Sequence, residues 1–300
     1  MNRASGRDLL LLLLAVANVS TASMWVKLAG GEGVHGFEAA TWRLAISSII
    51  TFLVLVGRGK AGFADLKGLG RRGAALMLLS GVSLSLHFDL WMLSLFYTSV
   101  AVSVTVVDSY PVVLALVGRF LFGESYTFLH YLGSSLAFGG IVLMSFYTSR
   151  DVALDLYGIL LALGGMLGVA LYFSIGKYFR SRGLPTDAYT ATVYSVAALT
   201  SAVLTLLIGE DLRGFTMKGW AYLVALALIP MLGGHTVLNY LLGRLSLLAT
   251  TVPVLGEPVG ATILAYLVLG ESVEPAIVVF MAVTLTGIGL VMVADSLRHK

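Results

Sequence analysis

Six ionisable side chains lie well inside apolar stretches of this sequence. An ionised side chain at the centre of a bilayer costs about 2.5 to 3.5 kcal/mol on insertion scales, so one that is retained there usually faces a cavity or a partner. In such a setting these groups can bind a polar solute, exchange protons or pair with one another. The six residues are Arg43, His87, Asp89, Asp108, His235 and Glu257.

Asp108 and Glu257 are the first candidates because each lies near the middle of its stretch and close to a proline, Pro111 or Pro258. A proline has no N–H, so each one frees the carbonyl four residues earlier. Free carbonyls at that depth need a polar partner, and a carboxyl far from water can retain a proton near neutral pH. The pattern predicts substrate binding or proton coupling. The alternative is a pair of kinks satisfied by hydroxyls or water, with the acids as structural hydrogen-bond acceptors.

Two further pairs have the spacing of one helix face. His87 and Trp91 are four residues apart, as are His235 and Asn239, so the members of each pair point the same way. They are candidate solute contacts, although a buried histidine also serves as an ordinary hydrogen-bonding residue. Asp89 faces away from His87, and we expect it to pair with Arg43.

Aromatic residues suggest a cavity wall. Tyr110 stands in the first half where Glu257 stands in the second, and Tyr172 follows Trp25 by the same interval of 147 residues. Such rings suit an amphiphilic or cationic solute. Trp25 lies near the end of its stretch, where anchoring at the membrane surface is an equal explanation.

The elements that position these residues are membrane-spanning helices. Apolar residues make up 58% of the 300-residue chain and charged residues 12%, with a mean hydropathy of +0.93. Because a span needs about 20 apolar residues, the sequence predicts an all-α integral membrane protein with ten spans. These are residues 9–29, 36–57, 73–95, 98–121, 127–147, 156–177, 188–208, 219–242, 246–269 and 275–295.

The chain is an internal duplication. Residues Leu121 to Ser125 return as Val268 to Ser272, and the same offset carries Pro111 onto Pro258. We expect a first five-helix repeat at residues 1–150 and a second at 151–300. Since five is odd, the second repeat must enter the membrane from the opposite side, which gives inverted repeats typical of transporters with alternating access.

Basic residues predict the orientation. Of the 19 lysines and arginines, fourteen lie on the side of the N-terminus, four lie on the other side, and Arg43 lies within a span. This positive-inside bias places both termini in the cytoplasm and the protein in the cell (inner) membrane. Arg3, Arg7 and the apolar run after them resemble a signal peptide, but removing it would leave the first repeat one helix short, so we expect it to be retained.

The run Leu255 to Ala261, followed by Leu267 to Glu271, resembles the fourth helix of an EamA repeat in the drug/metabolite transporter superfamily. Residues 108–111 and 121–124 form a degenerate version in the first half, with Tyr110 in place of the acid. The resemblance covers essentially the whole chain. It implies a secondary transporter, with export of amino acids or related metabolites as the expected activity.

Other classes of function fit less well. An intramembrane enzyme acting on a lipid would need a nucleophile or metal cluster, and neither His87, Asp89 nor His235 has a recognisable ligand spacing. A membrane sensor without transport is a third possibility. We expect no enzyme, cofactor, metal or nucleic-acid partner. The expected partners are a small-molecule substrate, the lipid bilayer and protons, and the expected state is a monomer or homodimer.

Overall fold

A computed structural model of the protein describes residues 5–98, 100–148, 156–264, 266–267 and 273–297. Ten helices in these ranges are long and apolar enough to cross a membrane, which confirms the predicted fold class. We number them α1 to α10: Gly6–Gly30, Gly36–Gly57, Gly70–Ser94, Val102–Leu121, Phe128–Tyr147, Leu156–Arg180, Thr186–Leu207, Met217–Leu242, Leu247–Leu264 and Pro275–Leu297. A short helix, Lys60–Lys67, lies between α2 and α3.

The two halves of five helices are inverted repeats. The start of α1 and the end of α10 lie on the same side of the bundle. We call this side the termini end and the other side the opposite end. The residues Val268 to Ser272, on which part of the repeat argument rests, lie outside the described residues.

The interval between the repeats changes along the chain. It is 147 residues between α3 and α8, which begin at Gly70 and Met217, but 150 between α1 and α6, which begin at Gly6 and Leu156. The reason is the connection after α2, which is three residues longer than the one after α7, 58–69 against 208–216. Structurally, Trp25 therefore corresponds to Ile175, and its expected match with Tyr172 is wrong.

Matching turns support the interval of 150. The turn after α1 contains Gly33 with φ 83°, and the turn after α6 contains Gly183 with φ 87°. Both values lie in the left-handed region that glycine enters without a steric penalty. The same sequence feature thus ends the first helix of each repeat.

Close helix pairs form the bundle: α2 packs along α7, α3 along α6, and α5 along α10. Small residues permit this approach. At Gly168 of α6, an added Cβ would lie 2.8 Å from the carbonyl oxygen of Ser83 in α3. The α3–α6 pair therefore has no room for a methyl group at this position.

Four spans contain breaks at mid-depth. In α1, helix ends at Val19 and resumes at Ala22. In α4, helix ends at Val107 and resumes at Tyr110. In α8, a π-helical segment, Ala227–Thr236, contains Pro230. In α9, a 3₁₀ segment, Val252–Gly256, precedes Glu257. The breaks in α4 and α9 occur beside Pro111 and Pro258, as the sequence suggests, but the Val254 carbonyl is not free because it accepts the Glu257 N–H.

Candidate functional site

A cavity lies where the broken helices meet. Both repeats contribute to it, since α1 to α4 and α6, α8 and α9 all supply residues. Its wall consists of Val19, Ala22, Arg43, His87, Trp91, Val107, Asp108, Tyr110, Val169, His235, Leu238, Val254 and Glu257. The structure thus brings together seven of the side chains that the sequence singles out.

Arg43 supplies the positive charge of the cavity. Its side chain, carried by α2, is 1% exposed, and its guanidinium carbon lies 4.0 Å from the ring centroid of Phe88. The Phe88 ring stabilises the Arg43 cation, but it accepts no hydrogen bond from the N–H groups in the guanidinium plane. Within the described part of the chain, Nε and Nη1 of Arg43 have no hydrogen-bond partner, so these donors are available to a ligand.

Asp108 and Glu257 supply the negative charges. Asp108 lies at the break in α4, and Glu257 is the first residue after the 3₁₀ segment of α9. The two carboxylates interact electrostatically with each other, and Glu257 also interacts with Arg43. Oδ2 of Asp108 is buried and has no hydrogen-bond partner among the described residues. Burying such a group unpaired is unfavourable, so this atom too is available to a ligand.

His87 and Trp91 share the face of α3 that points into the cavity. Their rings are parallel within 5°, with centroids 6.1 Å apart. Nδ1 of His87 lies 3.0 Å from the carbonyl oxygen of Gly165, so it carries the proton and leaves Nε2 as an acceptor. The indole N–H of Trp91 is buried without a partner in the described ranges. It therefore adds a donor near Arg43.

His235 faces His87 across the cavity, with ring centroids 6.2 Å apart. Its ring also stacks on Phe173, which in turn stacks on Tyr110. Nδ1 of His235 has no hydrogen-bond partner among the described residues. The ring stack holds the histidine in place and leaves this atom available.

Asn239 and Tyr172 lie beside the cavity and do not line it. The amide nitrogen of Asn239 donates to the Tyr172 hydroxyl and to the His235 carbonyl. Both residues are fully buried. They support His235 from the side nearer the termini end, so we regard them as supporting residues of the site. Pro111 and Pro258 likewise shape the backbone without lining the cavity.

Asp89 belongs to a separate hydrogen-bond network, and its expected ion pair with Arg43 is wrong. Its carboxylate accepts hydrogen bonds from Ser85 and Ser201, both at 2.6 Å. Ser201 also contacts Thr41 at 2.8 Å. The acid therefore joins α3, α7 and α2 and points away from the cavity.

Two features of the site were not predicted from the sequence. Val19 and Ala22 show that α1 lines the cavity where its helix is interrupted at Ser20–Thr21. The π-helical segment of α8 changes the direction of His235, and such segments are frequent at functional sites. Pro230 was the available signal for this segment, but a proline also produces simple kinks.

Comparison with known proteins identifies the family. The EamA-like transporter family matches the chain twice, over residues 7–146 and 156–293. The chain belongs to this family. A relative, the uncharacterized transporter YdfC of Bacillus subtilis (strain 168), is 25% identical over 247 residues, which are 81% of this chain and 77% of that protein. A solved crystal structure matches this chain with a TM-score of 0.80 and 20% sequence identity, and the match covers 98% of this chain and 99% of the other. At this identity the similarity shows the fold alone.

Proposed function

We propose that this EamA-like transporter carries a small amphiphilic solute with both an anionic and a cationic group, such as an amino acid or a related metabolite. The supporting observation is the set of buried polar atoms around the cavity that have no hydrogen-bond partner among the described residues. Donors from Arg43 and Trp91 suit a carboxylate, and Oδ2 of Asp108 suits an ammonium group. A zwitterion would supply partners for both kinds of atom.

The charges of the cavity favour coupling to protons. Arg43 contributes one positive charge, while Asp108 and Glu257 contribute two negative charges when ionised. One carboxylate is therefore without a counter-charge inside the cavity wall. A zwitterion does not change that balance, so a proton on Asp108 or Glu257 would neutralise the loaded site.

The fold favours alternating access. In inverted repeats, the two halves can exchange conformations around a central site, and both halves of this chain contribute to the cavity. We further propose that the cell membrane is the location, that both termini are cytoplasmic and that the direction is export. This proposal makes the protein a carrier, with no catalysed reaction.

The test is counterflow of a labelled amino-acid and metabolite panel into proteoliposomes, with and without a pH gradient. We expect exchange of one solute class in the wild type and its loss in Glu257→Gln and Asp108→Asn. Asp211→Asn is the matched control, since that exposed acid pairs with Arg213 outside the spans. Exchange that is unchanged in Glu257→Gln and Asp108→Asn would refute the assigned site. No exchange of any solute by folded protein would contradict the proposed substrate class.

A further inference from the structure

A buried ion pair lies at the termini end, away from the cavity. Nζ of Lys177 in α6 is 3.3 Å from Oε1 of Glu124, which follows α4, and each side chain is 3% exposed. Two charges that leave water need good geometry and further hydrogen bonds to be stable. The hydrogen-bond partners of Lys177 and Glu124 therefore show which parts of the chain this ion pair holds together.

Most of the partners come from the link between α8 and α9, here residues 242–247. Lys177 donates to the carbonyl oxygens of Leu242 at 3.1 Å and Leu245 at 2.6 Å. The backbone N–H of Leu247 donates to Glu124 at 3.0 Å. The Tyr126 hydroxyl also donates to Glu124, at 2.6 Å. The pair thus fixes α4, α6 and the α8–α9 link to one another.

This link connects two elements of the site. It follows α8, which carries His235, and precedes α9, which carries Glu257. Around it, Leu242, Leu247 and Leu248 are at most 1% exposed. The ion pair and these leucines therefore close the termini end below the cavity.

The first repeat contains a counterpart of Lys177. The interval of 150 residues between α1 and α6 aligns Lys27 with Lys177, and Lys27 lies near the opposite end of the bundle. In this structure Lys27 is exposed, whereas Lys177 is buried. Two lysines in equivalent positions of inverted repeats thus have different surroundings. The state described here has the lysine buried at the termini end only.

We propose that Glu124 and Lys177 are positioning residues that hold the termini end closed, and that Lys27 becomes buried in the same manner when the opposite end closes. The inference rests on the proposed alternating access. Because removal of one partner would leave a buried charge uncompensated, the pair opens as a unit when water enters from the termini end. The two lysines stabilise opposite states of one transport cycle.

Single-cysteine accessibility tests the proposal, and the chain contains no native cysteine. Val169→Cys places a thiol on the cavity wall, and a membrane-impermeant maleimide is applied to either side of oriented vesicles. The double variant Glu124→Gln/Lys177→Gln removes both charges, so no unpaired charge remains buried. We expect the ratio of labelling rates, termini side to opposite side, to rise about tenfold or more, as for lost hydrogen bonds to charged groups.

Lys27→Gln should shift the same ratio in the opposite direction, and Lys218→Gln, another exposed lysine near the opposite end, should leave it unchanged. An unchanged ratio in the folded double variant, with the thermal midpoint as the check of folding, would overturn the role of Glu124 and Lys177. If Lys27→Gln leaves the ratio unchanged, the role of Lys27 is overturned. Labelling of the wild-type background from one side only, whatever solute is added, would instead contradict alternating access itself.

Discussion

Removal of the indole N–H of Trp91 tests whether this residue binds the solute or only packs in the bundle. In Trp91→Phe the ring can still stack on His87, but the donor is lost. Because this N–H has no partner among the described residues, its removal should not lower the thermal midpoint, whereas KM for the transported solute should rise about tenfold, as for one hydrogen bond to a charged group.

Trp25→Phe is the matched control, since the Trp25 N–H donates to Thr21 at 3.1 Å and Trp25 does not line the cavity. It should leave KM unchanged. Equal effects of the two substitutions on KM would contradict a direct role of Trp91.

Asp89 should act on stability and not on binding. Ser201→Ala removes one of its two serine donors and breaks the contact with Thr41. Leaving a buried carboxylate partly unsatisfied costs about 1 to 3 kcal/mol, so the thermal midpoint should fall while KM of the folded protein stays constant. Ser296→Ala, at a half-buried serine that donates to the Val293 carbonyl of its own helix, should change neither quantity. A raised KM in Ser201→Ala would place Asp89 in the site after all.

The polar residues of the cavity could be predicted because an ionisable side chain in an apolar stretch is conspicuous. Arg43, Asp108 and Glu257 do line the cavity. The partner of Asp89 could not be predicted, because Ser201 is 112 residues away and serines are common in spans. Lys177 and Glu124 lie near the ends of their helices, so hydropathy gave no reason to expect them to be buried together.

At the scale of elements, the α3–α6 contact positions His87 and Trp91. In Gly168→Ala the new Cβ would meet the backbone of Ser83 and His87 at 2.8 and 3.0 Å. Backbone atoms cannot turn away, so the helices must separate, which typically costs about 1 to 3 kcal/mol. We expect a lower thermal midpoint and a several-fold loss of solute affinity.

Gly164→Ala is the control for this contact. Its Cβ would meet the end of the Leu90 side chain at 2.7 Å, and that flexible group can rotate away. Thermal unfolding and solute binding by the same preparation measure both effects. Equal losses in the two variants would show that the α3–α6 distance does not determine the geometry of the cavity.

The breaks in α4 and α9 could be predicted, since Pro111 and Pro258 stand at equivalent positions, three residues after Asp108 and directly after Glu257. The π-helical segment of α8 could not be predicted, because Pro230 is equally compatible with a simple kink in an α-helix and with the wider turn of a π-helix. Its effect is tertiary: His235 stacks on Phe173 of α6, and contacts between helices have no local sequence pattern.

At the scale of the whole molecule, the duplication and the odd number of helices per repeat suffice to predict inversion. A single interval of 147 residues does not relate all five helices of the two repeats. The connection after α2 is three residues longer than the one after α7, so the first two helices of each repeat are 150 residues apart. That shift matters for function. It pairs Lys27 with Lys177, a relation that the sequence motifs near Pro111 and Pro258 do not reveal.

The orientation in the membrane is a prediction from charge, and it can be tested on the intact chain. Arg58, Lys60 and Lys67 between α2 and α3 form a basic cluster at the termini end with Arg71 and Arg72 in the first turn of α3. The positive-inside rule places such clusters in the cytoplasm. Lys60→Cys should therefore react with an impermeant maleimide only after the cells are opened, whereas Asp211→Cys, between α7 and α8, should react in intact cells. Both positions are exposed, so access to each thiol depends on sidedness and not on burial. The reverse pattern would invert the predicted topology and, with it, would place the Glu124–Lys177 pair at the external surface.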